Sequence, residues 1–246
     1  HSYHGVSNRE LFTKIAKLYR KMFPVLNYIS ARLPMLCSCK NTREKVRIGF
    51  LSNNFKNHSV THSSSGVILN LDRSKYDVYL ITYQSSEQKD FMWTVLNNSD
   101  SKYIVLTGAE LSCHHIQVAE LELDVLVYCD IGMNTNAYLL SFARLAPVQM
   151  STWGHSDTSG VDTIDYFISS KLFELEQLLA QSHYSEKLLL HNSLSTYYYN
   201  RIVSYQLSMD RQLSDYLIPE GSFLAIISGS IQKFHPSFDK VLDKIL

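Results

Sequence analysis

The chain has 246 residues, 45% of them hydrophobic, and its 23 Lys+Arg balance its 23 Asp+Glu. That length suits one large domain or two small ones and is enough to bury a substantial core. Balanced charge argues against a protein built to hold nucleic acid or an anionic membrane surface, and no apolar run approaches the roughly 18 residues of a membrane span.

Residues 7–33 read as helical. Leu11, Phe12, Ile15, Leu18, Tyr19 and Met22 recur at three- and four-residue intervals, and Pro24 and Pro34 punctuate the segment. A polar link over 38–45 leads into short apolar runs alternating with amphipathic stretches. Strands are predicted over 46–52, 77–83, 102–107, 124–129, 148–153, 165–169 and 186–190, with helical patterns near 62–71, 87–97, 108–122 and 136–144. Runs such as "VRIGFLS" and "LDVLVYCD" are apolar almost throughout, as strands covered on both faces are. The alternation predicts a Rossmann-like α/β unit with a doubly wound parallel sheet. The pattern fades after 190, and "SFLAIISG" at 222 predicts a new strand, with a helix from about 236. The expected division is a helical segment (1–45), a first lobe (46–200), a linker (201–221) and the start of a second lobe (222–246). With no Met at its start, the chain reads as an internal fragment.

Cys37, Cys39, Cys113 and Cys129 fit neither a C-x-x-C redox pair nor a zinc knuckle, which suggests a reducing, cytoplasmic setting. Cys113-His114-His115 reads as a helix-surface cluster rather than a metal site, because no second ligand pair stands at a suitable spacing. Folds of this class bind ligands beyond the C-terminal ends of their strands. The polar tails "SNNFKNHSVTH", "CDIGMNTN" and "WGHSDTSG" are therefore the candidate site. No G-x-G-x-x-G, Walker A, H-E-x-x-H or G-x-S-x-G motif is present, so dinucleotide, P-loop, zincin and serine-hydrolase chemistry lose support. His58 and His62 suit a general base, and equally a helix cap or a packing role. Lys233, ahead of a predicted helix, suits a phosphate, and equally a surface charge.

Taken together, "NFKNHSVTH", the block from "LVYCDIGMNTN" through "STWGHSDTSGVDTIDYFISS", "HYSEKL" and "SIQKFHPSFD" resemble the catalytic region of the O-GlcNAc transferase family, glycosyltransferase family 41. The "DIGM" and "WGH" variants resemble its microbial, tetratricopeptide-linked members. The resemblance implies a GT-B fold of two Rossmann-like lobes with a nucleotide-sugar cleft. It implies transfer of GlcNAc or another hexose from a UDP-sugar to protein side chains, with inversion and without a metal or other cofactor. Protein acceptors and the UDP-sugar are then the partners, with no nucleic acid or membrane. It assigns His58 as the active-site His proposed as general base, and Lys233 as the Lys that contacts the donor diphosphate. Trp153, Gly154, His155 and Ser156 match the loop lining the sugar pocket, which Thr158 helps complete. Gln232 falls beside Lys233, and Ser230 lies nearest the family's nucleotide-contacting Gln. Ser156 and Asp157 depart from the family, which has Pro and a neutral residue there. Because the rest of the second lobe lies outside this length, turnover by this stretch alone is not expected. The alternative is a non-catalytic protein-binding module built on the same lobe.

Overall fold

The computed structural model describes residues 5–38, 43–83, 90–198, 213–219, 221–229 and 233–245. All seven predicted strands of the first lobe form: β1 (Val46–Leu51), β2 (Tyr76–Thr82), β3 (Ser101–Val105), β4 (Val125–Tyr128), β5 (Val148–Ser151), β6 (Tyr166–Ser170) and β7 (Lys187–His191). They make one sheet of order β3-β2-β1-β4-β5-β6-β7 in which every pairing is parallel. This is a Rossmann-like order, and the chain reverses its direction of travel between β1 and β4.

Side chains alternate across the sheet and find different covers. Phe50, Leu80 and Val127 pack beneath α3 (Ser59–Asn70) and α4 (Phe91–Asn97), against Val60, Ile68 and Leu96. Leu51, Ile81, Leu126 and Tyr128 face the other way, onto α5 (Leu111–Glu120) and α6 (Thr135–Ser141) through Val118, Ala119, Ala137 and Leu140. A short helix that the sequence pattern does not announce, Gln177–Ser182, seals Phe167 and Leu188 with Ala180. Six residues are too few to show a helical period, so packing on the sheet defines it.

The N-terminal helix α1 (Arg9–Met22) joins the second of these cores through Ala16, with Tyr19 against it. Its predicted apolar face is wider than the sheet covers, and Leu11, Leu18 and Met22 remain exposed. A 3-10 turn, Pro24–Asn27, and α2 (Leu33–Leu36) follow.

Residues 7–199 form one compact unit, and 1–6 with 200–246 belong to a second. The second unit holds 3-10 turns at Leu213–Tyr216 and Pro236–Phe238 and a short helix, Asp239–Leu242. The strand expected at 222–229 is not one: the segment has no sheet pairing, and Phe223, Leu224, Ile226 and Ile227 are exposed. An apolar run becomes a strand only where a neighbour takes up its backbone groups, and no described strand does so here.

The Cys113-His114-His115 cluster also differs from its surface reading. Cys113 is exposed, but His114 and His115 lie on the buried face of α5. His115 is fully buried, stacks on Tyr28 at 5.0 Å, and has no hydrogen-bond partner at either ring nitrogen among the described residues. Burial, with His114 adding to it, pushes its pKa down to about 4. The unfolded chain therefore binds this proton more readily, and stability falls as pH drops from 6.5 towards 4. The denaturation midpoint of His115→Phe is expected to lose part of that acid dependence; an unchanged pH slope would assign it to other groups.

Candidate functional site

At the reversal between β1 and β4 the helices leave the sheet on opposite faces, which opens a crevice at the strand ends. The tail of β1 is held there by one carboxylate. Asp130, directly after the apolar run of β4, accepts from Ser52 Oγ (2.9 Å), Asn53 N (3.0 Å) and Asn54 Nδ2 (3.1 Å), all at Oδ2. Thr61 Oγ1 donates back to the carbonyl of Asn54, and the Asn57 amide donates to Asp90, which also caps α4. These ties deliver the chain to His58.

His58 is the N-cap of α3, its Nδ1 accepting from the Val60 amide at 3.2 Å. The capping and site readings of the sequence thus fall on one side chain. Because Nδ1 is an acceptor, the neutral ring carries its proton on Nε2, and its other nitrogen is a donor. Burial, the largest cause, and Lys56 lower the His58 pKa, while Asp130 opposes them. His62 lies one turn on, with its Nε2 against Asn57 Oδ1 at 2.8 Å.

The loop after β5 closes onto the tail of β4 by backbone contact. A Cβ on Gly154 would lie 1.8 Å from the carbonyl oxygen of Cys129 and 2.8 Å from Cα of Asp130. Gly132, at φ +87°, lies so close to His155 that a Cβ would meet its Cγ at 2.9 Å. His155 Nδ1 accepts from the Asp157 amide at 3.3 Å, and burial lowers its pKa against the opposing pull of Asp157. His58, Asp130, Gly132, Gly154 and His155 therefore form one connected edge of the first unit.

Other members of the expected sugar loop are turned to scaffolding. Trp153 donates to Ser169 Oγ at 3.1 Å and packs against Phe173, its ring centroid 4.7 Å away. Thr158 is buried, its hydroxyl 2.5 Å from Glu186 Oε2 and 2.9 Å from Ser185 Oγ. Ser159 gives its amide to the same buried Glu186 at 2.8 Å. Asp157, which the resemblance marks as a departure, is tied to Asn8, at the start of α1, by a 2.7 Å bond. Ser156 is exposed. Glu186→Ala strands the loop's donors without an acceptor and is expected to destabilise the fold by about 3 kcal/mol in chemical denaturation. A loss below about 1 kcal/mol would show that water replaces the carboxylate.

Lys233 lies in the second unit, exposed, three residues before the Pro236–Phe238 turn. Ser230 and Gln232 fall outside the described residues. Sequence reasoning missed Asp130 and Glu186; an acid directly after a buried apolar run, as in "LVYCD", was the available signal for the first. Beside the site, an apolar groove of about 460 Å³ runs along the β1–β4–β5–β6 face, with Phe50, Val127, Met150 and Ile168 on its floor and Val67 of α3 on one wall. Among the described residues no cluster of three His, Cys, Asp or Glu is placed to hold a metal ion.

Comparison with known proteins places the chain in a family. A protein named probable UDP-N-acetylglucosamine–peptide N-acetylglucosaminyltransferase SEC, from Arabidopsis thaliana, is 26% identical over 200 residues, covering 78% of this chain and 20% of that protein. UDP-N-acetylglucosamine–peptide N-acetylglucosaminyltransferase of Caenorhabditis elegans is 26% identical over 151 residues, covering 59% and 12%. The chain thus spans at most a fifth of either relative. The solved structure of a Thermobaculum terrenum O-GlcNAc transferase mutant shares the fold, with a TM-score of 0.62 at 19% identity over 79% of this chain and 36% of that one. The model of glycosyl transferase family 41 matches residues 21–201, well over half of the sequence, and the chain belongs to that family.

Proposed function

We propose that the chain carries the N-terminal half of the donor site of a protein O-glycosyltransferase. In this reading the full-length protein transfers N-acetylglucosamine, or another hexose, from its UDP-sugar to protein side chains, with inversion and without a metal. The connected edge formed by His58, Asp130, Gly132, Gly154 and His155 at the sheet's reversal supports it, in a chain of family 41.

The chemistry sets three requirements. The acceptor oxygen bonds to the anomeric carbon as the bond to the diphosphate breaks, the acceptor's proton leaves, and negative charge grows on UDP. Gly154 and Gly132 let the loop 153–156 close against the tail of β4, which holds its backbone at the strand ends where a sugar would lie in this reading. His58 presents an N–H at Nε2 while it caps α3, so in this state it donates to an oxygen of the substrate. It accepts the acceptor's proton at Nδ1 only by releasing Val60. Lys233 enters through its motif: a fixed ammonium stabilises the departing diphosphate.

The test has two parts. Heteronuclear NMR titration of the 246-residue chain with UDP-GlcNAc should shift the backbone amides of the 153–156 loop. The full-length protein should transfer radiolabelled sugar to protein acceptors. Absence of both binding and transfer would overturn the reading in favour of a non-catalytic binding module. In the full-length protein, Lys233→Met should reduce the transfer rate more than donor affinity; an unchanged rate would return Lys233 to a surface charge.

A further inference from the structure

Asp130 is fully buried, a rare place for a carboxylate, and its two oxygens are used unequally. Oδ2 gathers all three donors of residues 52–54, whereas Oδ1 is buried with no partner among the described residues. The ladder of β4 with β1 closes with the Cys129 amide on the Leu51 carbonyl at 3.0 Å, so the Asp130 side chain is not part of the sheet's pairing. The three donors come from the turn that leads from β1 towards His58.

We propose that Asp130 is a positioning residue for His58: Oδ2 hooks the 52–54 turn that carries the chain to α3, and the charge of the buried carboxylate acts on the imidazole that this turn delivers. The placement stands on the structure alone, while its consequence for sugar transfer rests on the functional reading above.

The local charges agree in direction. His58 feels Lys56 from its own connection, His62 from α3 and Asp130 from the end of β4, and of these only Asp130 favours the protonated ring. Burial raises the Asp130 carboxyl, while its bonds to Asn53, Ser52 and Asn54, and the charge on His58, pull it back. On balance burial wins and holds the carboxyl above its usual range, while the donors that converge on Oδ2 work towards the ionised form.

The experiment is a pH titration of the His58 ring by heteronuclear NMR on the 246-residue chain, for the wild type and Asp130→Asn. Asn keeps an oxygen for the three donors and removes the charge. The His58 midpoint is expected to fall by about half a pH unit or more. An unmoved midpoint in a folded Asp130→Asn protein would overturn the proposal and leave Asp130 a purely structural hook. Should that variant fail to fold, the wild type alone decides: the carboxyl carbon of Asp130 must show an inflection at the His58 midpoint, and its absence is equally fatal. In the full-length protein, Asp130→Asn should lower kcat with little change in donor KM and move the His58-linked inflection of the rate profile to lower pH. A fall in amplitude without that movement counts against the proposal. No substrate enters the NMR titration, so its result stands even if the full-length protein proves unable to transfer sugar.

Discussion

His58→Asn is expected to keep the protein as stable as the wild type while lowering transfer by the full-length protein about 100-fold or more, as loss of a positioned imidazole does. Asparagine is among the best N-cap residues, so its side-chain oxygen can replace Nδ1 as acceptor for the Val60 amide. It has nothing to replace Nε2. His58→Ala removes both functions, and should add a loss of about 1 kcal/mol in thermal or chemical denaturation to the same fall in rate. Comparing the two variants separates the cap from the chemistry. A His58→Asn protein with wild-type turnover would show that the residue is a helix cap and nothing more.

Gly154→Ala should be the more damaging change to the loop. The added methyl would lie 1.8 Å from one backbone oxygen and within 2.8 Å of the next Cα, and neither atom is the movable end of a side chain. The strand end or the loop has to shift, at a cost of about 1–3 kcal/mol by analogy with overpacked cores. Displacing the loop also moves His155 away from Gly132, so donor binding should weaken at least tenfold. Calorimetric titration with a UDP-sugar together with a melting curve checks both effects. Unchanged affinity in a destabilised protein would mean that the loop does not touch the donor.

The sheet was legible because its strands are buried on both faces and read as uninterrupted apolar runs, whatever lies next to them in space. The same reasoning misread 222–229, since an apolar run carries no information about whether a partner strand is present. In the site, sequence pattern located the three strand tails, and the resemblance singled out His58 and the 153–158 loop. It did not reveal that Trp153 and Thr158 face Ser169 and Glu186, because orientation in a loop follows from partners distant in sequence. Asp130 was hidden for the opposite reason: it sits in plain view in a polar tail, and only its burial sets it apart.

The loop after β5 has little room to diverge. Gly154 and Gly132 admit no larger residue without a shift of backbone or of His155, Thr158 and Ser159 are committed to Glu186, and Asp157 is tethered to Asn8. Of residues 153–158 only Ser156 is exposed, and it is one of the two positions that the resemblance marks as departures. If the loop lines the donor site as proposed, this position can vary at the least cost to the fold. A saturation library for altered donor choice is best begun there.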